Sequence, residues 1–555
     1  MRSVLMILAV TTALASGGAT CAEPRVKLAD NGAVLVDGQP LLPIFVWAQP
    51  MDRIDFHRDL GVNVLHLGST DDTTREVLDT LHARGMLALL NLDRMSEEVV
   101  GHPAILAWTV NHEMDSPRDP PYAADRSGDV SMIWIEGEQP KRHSFKDEGW
   151  LKLQHAQLSG GQWLVSTEAD KGEAVYQFTV DQPGAYNLWV REFYKPRANP
   201  TTWKLDDGPQ QQTPRSLGIQ ESRGVGSSRA VGWGKYGEVE LSKGTHTLSL
   251  RVTPGRTMGG ADRTPDDKTV LWAVDVICLT KAENFPPAVN ADPVPRSSPG
   301  LAKQNYEAVK QADPNALTWG IFSGAIGRGK RVPDEVYQEF MKWMDVAAFD
   351  LYPVTGYNKP QYIPLVPQAT ARLVDWSRPG QPVWVCVESS KQNLSWTPKD
   401  TPGPTPAQMR AQIWSCIASG AKGIGYFTIA FDPFRWVELP DDIQAEMKRS
   451  NAELTALAGP IVMGDTKEKL TVEGDQVEDE YAGNRAIRAI RKMYEGKKYL
   501  IAVNVTPQKI QPTFTLEGVG TKTAQVLNEN RSVLVNAGVL KDAFDPLDVH
   551  VYVIQ

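Results

Sequence analysis

Cysteine is scarce: the 555 residues contain four. Cys21 sits in the N-terminal apolar stretch, which leaves Cys278, Cys386 and Cys416, an odd number in apolar surroundings. That argues against a disulfide framework; a single Cys386–Cys416 bridge stays open beside a reading of all three as buried thiols. No run of Lys or Arg stands out and the net charge is −9, so neither nucleic acid nor an anionic membrane is an expected partner. No Cys-x-x-Cys or His-Glu-x-x-His spacing signals a catalytic metal, and no Gly-x-Ser-x-Gly elbow signals an esterase or peptidase. After the first residues no apolar run reaches the roughly 18 residues of a membrane span, so no transmembrane segment is expected.

What is present begins with a signal peptide over residues 1–22. Arg2 gives a positive start, Val4 to Ala15 an apolar core, and small residues lead to a cleavage point after Ala22. A secreted or periplasmic protein follows. The alternative, lipid attachment at Cys21, lacks the bulky apolar residue usual three positions earlier, where Gly18 stands.

The length points to several domains, and 41% hydrophobic residues with 16 Trp suffice for sizeable cores. Up to Glu113, near-continuous apolar strands alternate with amphipathic segments. Strands are expected at Leu41–Ala48, Val62–Gly68, Met86–Asp93 and Ile105–Glu113; helices at Asp52–Leu60, Thr74–Arg84 and, briefly, Ser96–Val100. Such strands belong to a parallel sheet covered on both faces. The rhythm resumes after Gly300, with strands at Ala316–Phe322, Val346–Tyr352, Pro382–Glu388 and Gly423–Ile429 and helices between them. Four strands before a break and four after it predict an α/β fold, a (β/α)8 TIM barrel in two halves, residues 23–127 and 284–460. With the insert removed, roughly 260 residues remain, close to the ~250 typical of the fold. Residues 128–283 have short, alternating, turn-separated strands, which predicts an inserted β-sandwich. Residues 461–555 predict a smaller C-terminal β-sandwich.

Barrel enzymes carry their chemistry at the C-terminal ends of the strands. Two strands end in glutamate, the fourth at Glu113 and the seventh at Glu388. Strands four and seven face each other across a ring of eight, so these carboxyls can converge over its mouth. Retaining glycoside hydrolysis needs two carboxyls about 5–5.5 Å apart, one acid/base and one nucleophile.

These residues carry a resemblance. HPAILAWTVNHEMD (His102 to Asp115), VAAFDLYPV (Val346 to Val354), PVWVCVES (Pro382 to Ser389) and QMRAQIWSCIASGAKGIGYF (Gln408 to Phe427) resemble the fourth, sixth, seventh and last segments of clan A glycoside hydrolases. The resemblance covers the barrel, about half the chain. It implies Glu113 as acid/base, Glu388 as nucleophile and a carbohydrate as substrate. The clan has Asn directly before the acid/base; here His112 stands there and Asn111 one residue earlier, so strand alternation puts Asn111, not His112, on the face of Glu113. That departure keeps a non-catalytic carbohydrate-binding protein on a degenerate barrel as the alternative. Other strand ends supply candidate sugar contacts: Trp47, His66, Asn91, Asn111, His112, Asp350, Tyr352 and Trp436.

Within the insert, IWIEGEQP (Ile133 to Pro140), AVYQFTVDQPGAYNLWVR, GEVELSKGTHTLSLRV and LWAVDVICL (Leu271 to Leu279) resemble carbohydrate-binding modules of the galactose-binding-like type. That resemblance implies a structural calcium at Glu136, Glu138 and Asp275. Three carboxylates fall short of the six to eight oxygens Ca²⁺ takes, so backbone carbonyls would complete the shell. No cofactor for catalysis is expected.

Overall fold

The computed structural model describes residues 25–554 apart from 68–73, 150–151, 169, 195–198, 215–216, 226–229, 255–256, 259–260, 263–271, 284, 288, 290–292, 329–330, 395–396 and 432–433. The signal peptide and the lipid-attachment alternative at Cys21 lie outside the described residues. The chain divides into two compact units, Met1–Ser116 with Pro295–Gln555, and Pro117–Val294.

In the first unit eight parallel strands close into a barrel: Ile44–Gln49, Val64–Leu67, Leu87–Asn91, Ile105–His112, Leu317–Phe322, Val346–Asp350, Val383–Glu388 and Gly423–Phe427. They lie in chain order, and the fifth pairs with the fourth to complete the ring. Alternation explains why the strands read as continuously apolar. In the seventh, Val383, Val385 and Val387 join the core under the helices, while Trp384 and Cys386 join the core inside the ring. The interior is filled by Phe45, Trp319 and Trp384, whose rings lie 5.6 to 6.0 Å apart. The eighth strand makes room for them. A Cβ on Gly425 would stand 2.1 Å from the Phe45 ring, and one on Gly423 2.5 Å from Trp384. The barrel is thus a packed core and not a pore.

Covering helices start where capping chemistry directs. Thr74 accepts the Val77 N–H ahead of Arg75–Ala83, and Thr405 with Gln408 forms a capping box ahead of Pro406–Ala418. The short helix expected at Ser96–Val100 is instead a turn, with the N–H groups of Val99 and Val100 both donating to the Ser96 carbonyl. Five residues ending in two β-branched valines before Gly101 cannot sustain a helical nucleus. Ahead of the ring, Val26–Leu28, Val34–Val36 and Gln39–Leu41 form an antiparallel meander whose Val26 and Val34 join the inner barrel core.

In the C-terminal region eight strands form one continuous antiparallel sheet, and all of them send side chains into one shared core. Val549–Ile554 pairs with Lys497–Asn504 on one side and Lys522–Val526 on the other.

The second unit contains two antiparallel sheets, of five and six strands, sharing one apolar core. Tyr176, Phe178 and Leu250 enter it from one sheet; Leu188, Val190 and Trp272 from the other.

Candidate functional site

A cavity of about 470 Å³ opens over the C-terminal ends of the barrel strands, within the range of roughly 300–1,000 Å³ usual for ligand sites. Five strand ends line it: Trp47 and Ala48 on the first, His112 at the end of the fourth with Glu113 just after it, Ile321 on the fifth, Asp350 and Tyr352 at the sixth, Phe427 on the eighth. Loop residues Tyr357, Gln392 and Leu394, with Ile429 and Phe431 of a short strand after the eighth, complete the wall.

Backbone geometry decides what the fourth strand presents. Glu113 has φ of 49°, in the left-handed region that L-residues seldom occupy. This breaks the alternation, so His112 and Glu113 both line the cavity. Asn111 does not. It is fully buried, its Oδ1 accepts the Met114 N–H at 3.0 Å, and its Cβ packs against Gly320, where an added Cβ would come within 2.9 Å. Asn111, expected as a sugar contact, thus has no face on the cavity, whereas His112 lines it. The same strain recurs on the first strand, where Ala48 also has φ of 49°. Strained backbone at two cavity positions is the kind that persists where function holds it.

Trp47 owes its position to residues behind it. The His66 ring stacks on Trp47 with centroids 4.0 Å apart. His66 Nδ1 accepts the Ala48 N–H at 3.2 Å, and Nε2 faces Asn91 Oδ1 at 3.3 Å. Burial pushes the His66 pKa down to about 3, so the ring is neutral. The Trp436 indole N–H donates to the Ala48 carbonyl at 2.8 Å. None of His66, Asn91 and Trp436 lines the cavity; they position Trp47 and Ala48, which corrects their expected role as sugar contacts.

The acids at the barrel mouth have unequal surroundings. Asp350 lines the cavity, and its Oδ1 is buried without a hydrogen-bond partner. Burial first, then the charge of Glu113, pushes its carboxyl well above the usual carboxylate range, against the opposing influence of the Tyr352 hydroxyl. Asp115 is buried behind the cavity. It accepts the Ser323 N–H at 2.9 Å and the Ser323 hydroxyl at 2.8 Å, yet burial pushes it up to about 7.

Glu388 is not where the pairing with Glu113 requires it. Its side chain is fully buried and does not line the cavity. Oε1 accepts the Val354 N–H at 2.9 Å and the Gln412 amide at 3.0 Å; Oε2 accepts the Thr355 N–H at 2.7 Å and the Thr355 hydroxyl at 2.8 Å. Both oxygens serve to anchor the loop after the sixth strand. Burial raises its pKa while these donors pull it down.

The sequence reading missed Gln392. Its amide is buried in the cavity wall with neither oxygen nor nitrogen partnered. It also missed Tyr357 and the exposed Phe431, stacked 5.7 Å from Phe427. Tyr357 and Gln392 stand on loops and Phe431 ends the short strand Ile429–Phe431, where no sustained periodicity marks a side chain as inward-facing.

In the second unit Glu136 and Asp275 both meet Ser159, Glu136 Oε1 accepting its hydroxyl at 3.0 Å, and Glu138 lies beside Gly160. Asp275 is committed to the Arg191 guanidinium and the Ser159 N–H. Among the described residues no group of three or more His, Cys, Asp or Glu is arranged to hold a metal. Cys278, Cys386 and Cys416 are buried free thiols, which closes the question of a Cys386–Cys416 bridge. Among the described residues no helix is long and apolar enough to cross a membrane.

No curated protein sequence matches the chain. Among solved structures it is similar to an α-amylase from Geobacillus thermoleovorans (13% identity, 47% of this chain and 58% of that one, TM-score 0.33). It is similar also to a GH42 beta-galactosidase from G. stearothermophilus (9%, 46% and 67%, TM-score 0.32). A CBM35 from Cellvibrio japonicus aligns at 13% identity over 29% of this chain and 97% of that one, with a TM-score of 0.19. Scores this low carry no argument, and the chain spans little more than half of the first of these structures. The sequence match is firmer: residues 299–434 fit the family model Glyco_hydro_42, described as beta-galactosidase. That stretch runs from the helix before the fifth strand past the eighth, so the second half of the barrel is similar to that glycoside hydrolase family.

Proposed function

We propose that this chain hydrolyses a glycosidic bond in the cavity over the barrel, with a sugar ring lying against Trp47 and Tyr352 and Glu113 facing the scissile oxygen. The observation that carries this is the opening of Glu113 and Asp350 into one aromatic-walled cavity at the catalytic end of a barrel. Aromatic faces suit the C–H faces of sugars, and the unpaired amide of Gln392 suits a hydroxyl. The description of the matching family makes a β-galactoside the first substrate to try. Export to the periplasm or medium belongs to the same proposal and is supported by the N-terminal sequence. So does a carbohydrate-binding role for Pro117–Val294, supported by its two-sheet core.

The test is sugar release from aryl β-galactosides and from a panel of plant, algal and animal glycans, comparing wild type with Glu113→Gln. Release by wild type and a loss of at least about 10²-fold in the variant support the proposal. The commitment of Glu388 to four donors favours one second reading, a barrel that binds sugar without cleaving it. Binding of a panel glycan by a folded, inert wild type supports that reading instead.

A further inference from the structure

A hairpin follows the eighth barrel strand: Ile429–Phe431 pairs with Phe434–Trp436, and Ile429 stands opposite Trp436. Strand alternation puts Ile429 and Phe431 on the face that lines the cavity and turns Ala430 away, where it is fully buried. Phe431 is 45% exposed, the one aromatic among the large apolar side chains that stand exposed among the described residues. Its ring stacks on that of Phe427 with centroids 5.7 Å apart, and Phe427 in turn lies 5.1 Å from Tyr352. An aromatic row thus runs from Tyr352, against which the first sugar ring is placed above, through buried Phe427 to Phe431 in solvent.

We propose that Phe431 is the platform of a second sugar subsite. It takes the next pyranose of a glycan whose first ring occupies the cavity. The substrate class is then an oligo- or polysaccharide, and a one-ring galactoside leaves part of the site unused.

A single exposed apolar side chain is ordinary on a protein surface. Phe431 differs in lining a cavity and in standing on backbone that is held from three sides. Its own N–H donates to the Gln392 carbonyl at 2.7 Å, the Val437 N–H to the Thr428 carbonyl at 3.1 Å, and the Trp436 indole to the Ala48 carbonyl at 2.8 Å. The hairpin is therefore tied to the first strand, to the eighth and to the loop after the seventh. An aromatic surface fixed before a ligand arrives loses little freedom when one covers it, which is how preorganisation raises affinity. The C–H face of a pyranose takes apolar surface of the ring out of water while its hydroxyls stay hydrated at the rim. Continuity with the cavity through Phe427 makes the next ring of the same chain the occupant.

This inference rests on the glycosidase reading, and the experiment separates the two. Wild type, Phe431→Ala and Phe431→Tyr are assayed on methyl β-galactoside, which has one ring, on β-linked galactobiose and galactotriose, and on 4-nitrophenyl β-galactoside. Thermal unfolding checks that each variant is folded. Phe431→Ala is expected to lower kcat/KM about three- to tenfold on the di- and trisaccharide, mainly through KM. The loss on methyl β-galactoside is expected to be several-fold smaller, and Phe431→Tyr, which keeps the ring, to follow wild type. Equal losses on one-ring and longer substrates would mean that the ring merely shapes the cavity, and they overturn the proposal. So does a larger loss on the nitrophenyl substrate than on the trisaccharide, which would make the platform an aglycone site, and so does a Phe431→Tyr that behaves like Phe431→Ala. Any of these in an active wild type refutes the subsite and leaves the glycosidase reading standing. A wild type inert on every substrate refutes hydrolysis of galactosides, and native electrophoresis in gels containing the plant, algal and animal glycans then decides the subsite. Retardation of wild type and Phe431→Tyr but not of Phe431→Ala supports it, and equal mobility of all three overturns it.

Discussion

Replacing Glu388 by Gln separates a catalytic from a structural role for the glutamate that ends the seventh strand. The carboxylate accepts from the N–H groups of Val354 and Thr355, the Thr355 hydroxyl and the Gln412 amide, all buried. A glutamine of the same shape keeps one acceptor oxygen and turns an NH₂ toward the others. If that oxygen holds Val354 and Gln412, the Thr355 hydroxyl can rotate and accept, but the Thr355 N–H meets a donor. Hydrogen bonds to a charged group are worth about 1.5–3 kcal/mol and an orphaned buried donor costs about 1–3 kcal/mol. The net destabilisation of the barrel is therefore about 3–5 kcal/mol, or roughly 5–10 °C in Tm. Urea and thermal unfolding, followed by fluorescence of the buried barrel tryptophans, measure it; kcat per folded molecule is measured alongside. Destabilisation with kcat nearly retained is expected. An unchanged Tm with activity lost a thousandfold would show that Glu388 does chemistry and that the hydrogen-bond argument is wrong.

Gln392→Ala is expected to leave stability within about 1 kcal/mol of wild type, because deleting a buried amide with no partners removes a desolvation cost that offsets the lost packing. KM should rise several-fold, and an unchanged KM places the sugar elsewhere. Asp115 ties stability to pH: its folded pKa of about 7 lies above the unfolded value of about 3.9. The folded state binds the extra proton, so stability is full below about pH 4 and falls as pH rises toward 7, by about 4 kcal/mol. Subtracting the urea-melt pH series of Asp115→Asn from that of wild type reads this contribution, and a flat difference refutes it. Ala48→Gly relieves the left-handed strain at φ 49° at the cost of a more flexible unfolded chain, so Tm should rise slightly or hold; a fall of several degrees would mean the Ala48 methyl packs in a way the strain argument omits.

The barrel was legible because its signal is local. Apolar runs alternating with amphipathic ones give eight strands, and the small glycines of GIGYF are the sequence trace of Phe45 and Trp384 filling the ring. Where the signal was too short the reading failed: Ser96–Val100 cannot nucleate a helix. In the C-terminal region strand existence was readable, but that Val549–Ile554 bridges two sets of strands was not, since pairing partners are distant in sequence.

By itself the sequence placed Glu113 and Glu388 at the ends of the fourth and seventh barrel strands and Asp350 on the sixth, because alternation and strand length are properties of the local chain. Which of these acids lines the cavity was decided by tertiary structure. A left-handed φ at Glu113 turns His112 and Glu113 together into the cavity and leaves Asn111 behind. Donors from the next loop and from a covering helix hold Glu388 away, and none reaches Asp350 Oδ1. In the insert, likewise, Arg191 pairs with Asp275 across 84 residues, a contact no local pattern shows. A carboxylate's role follows from the charges and donors around it, and those are assembled only when distant segments of the chain meet.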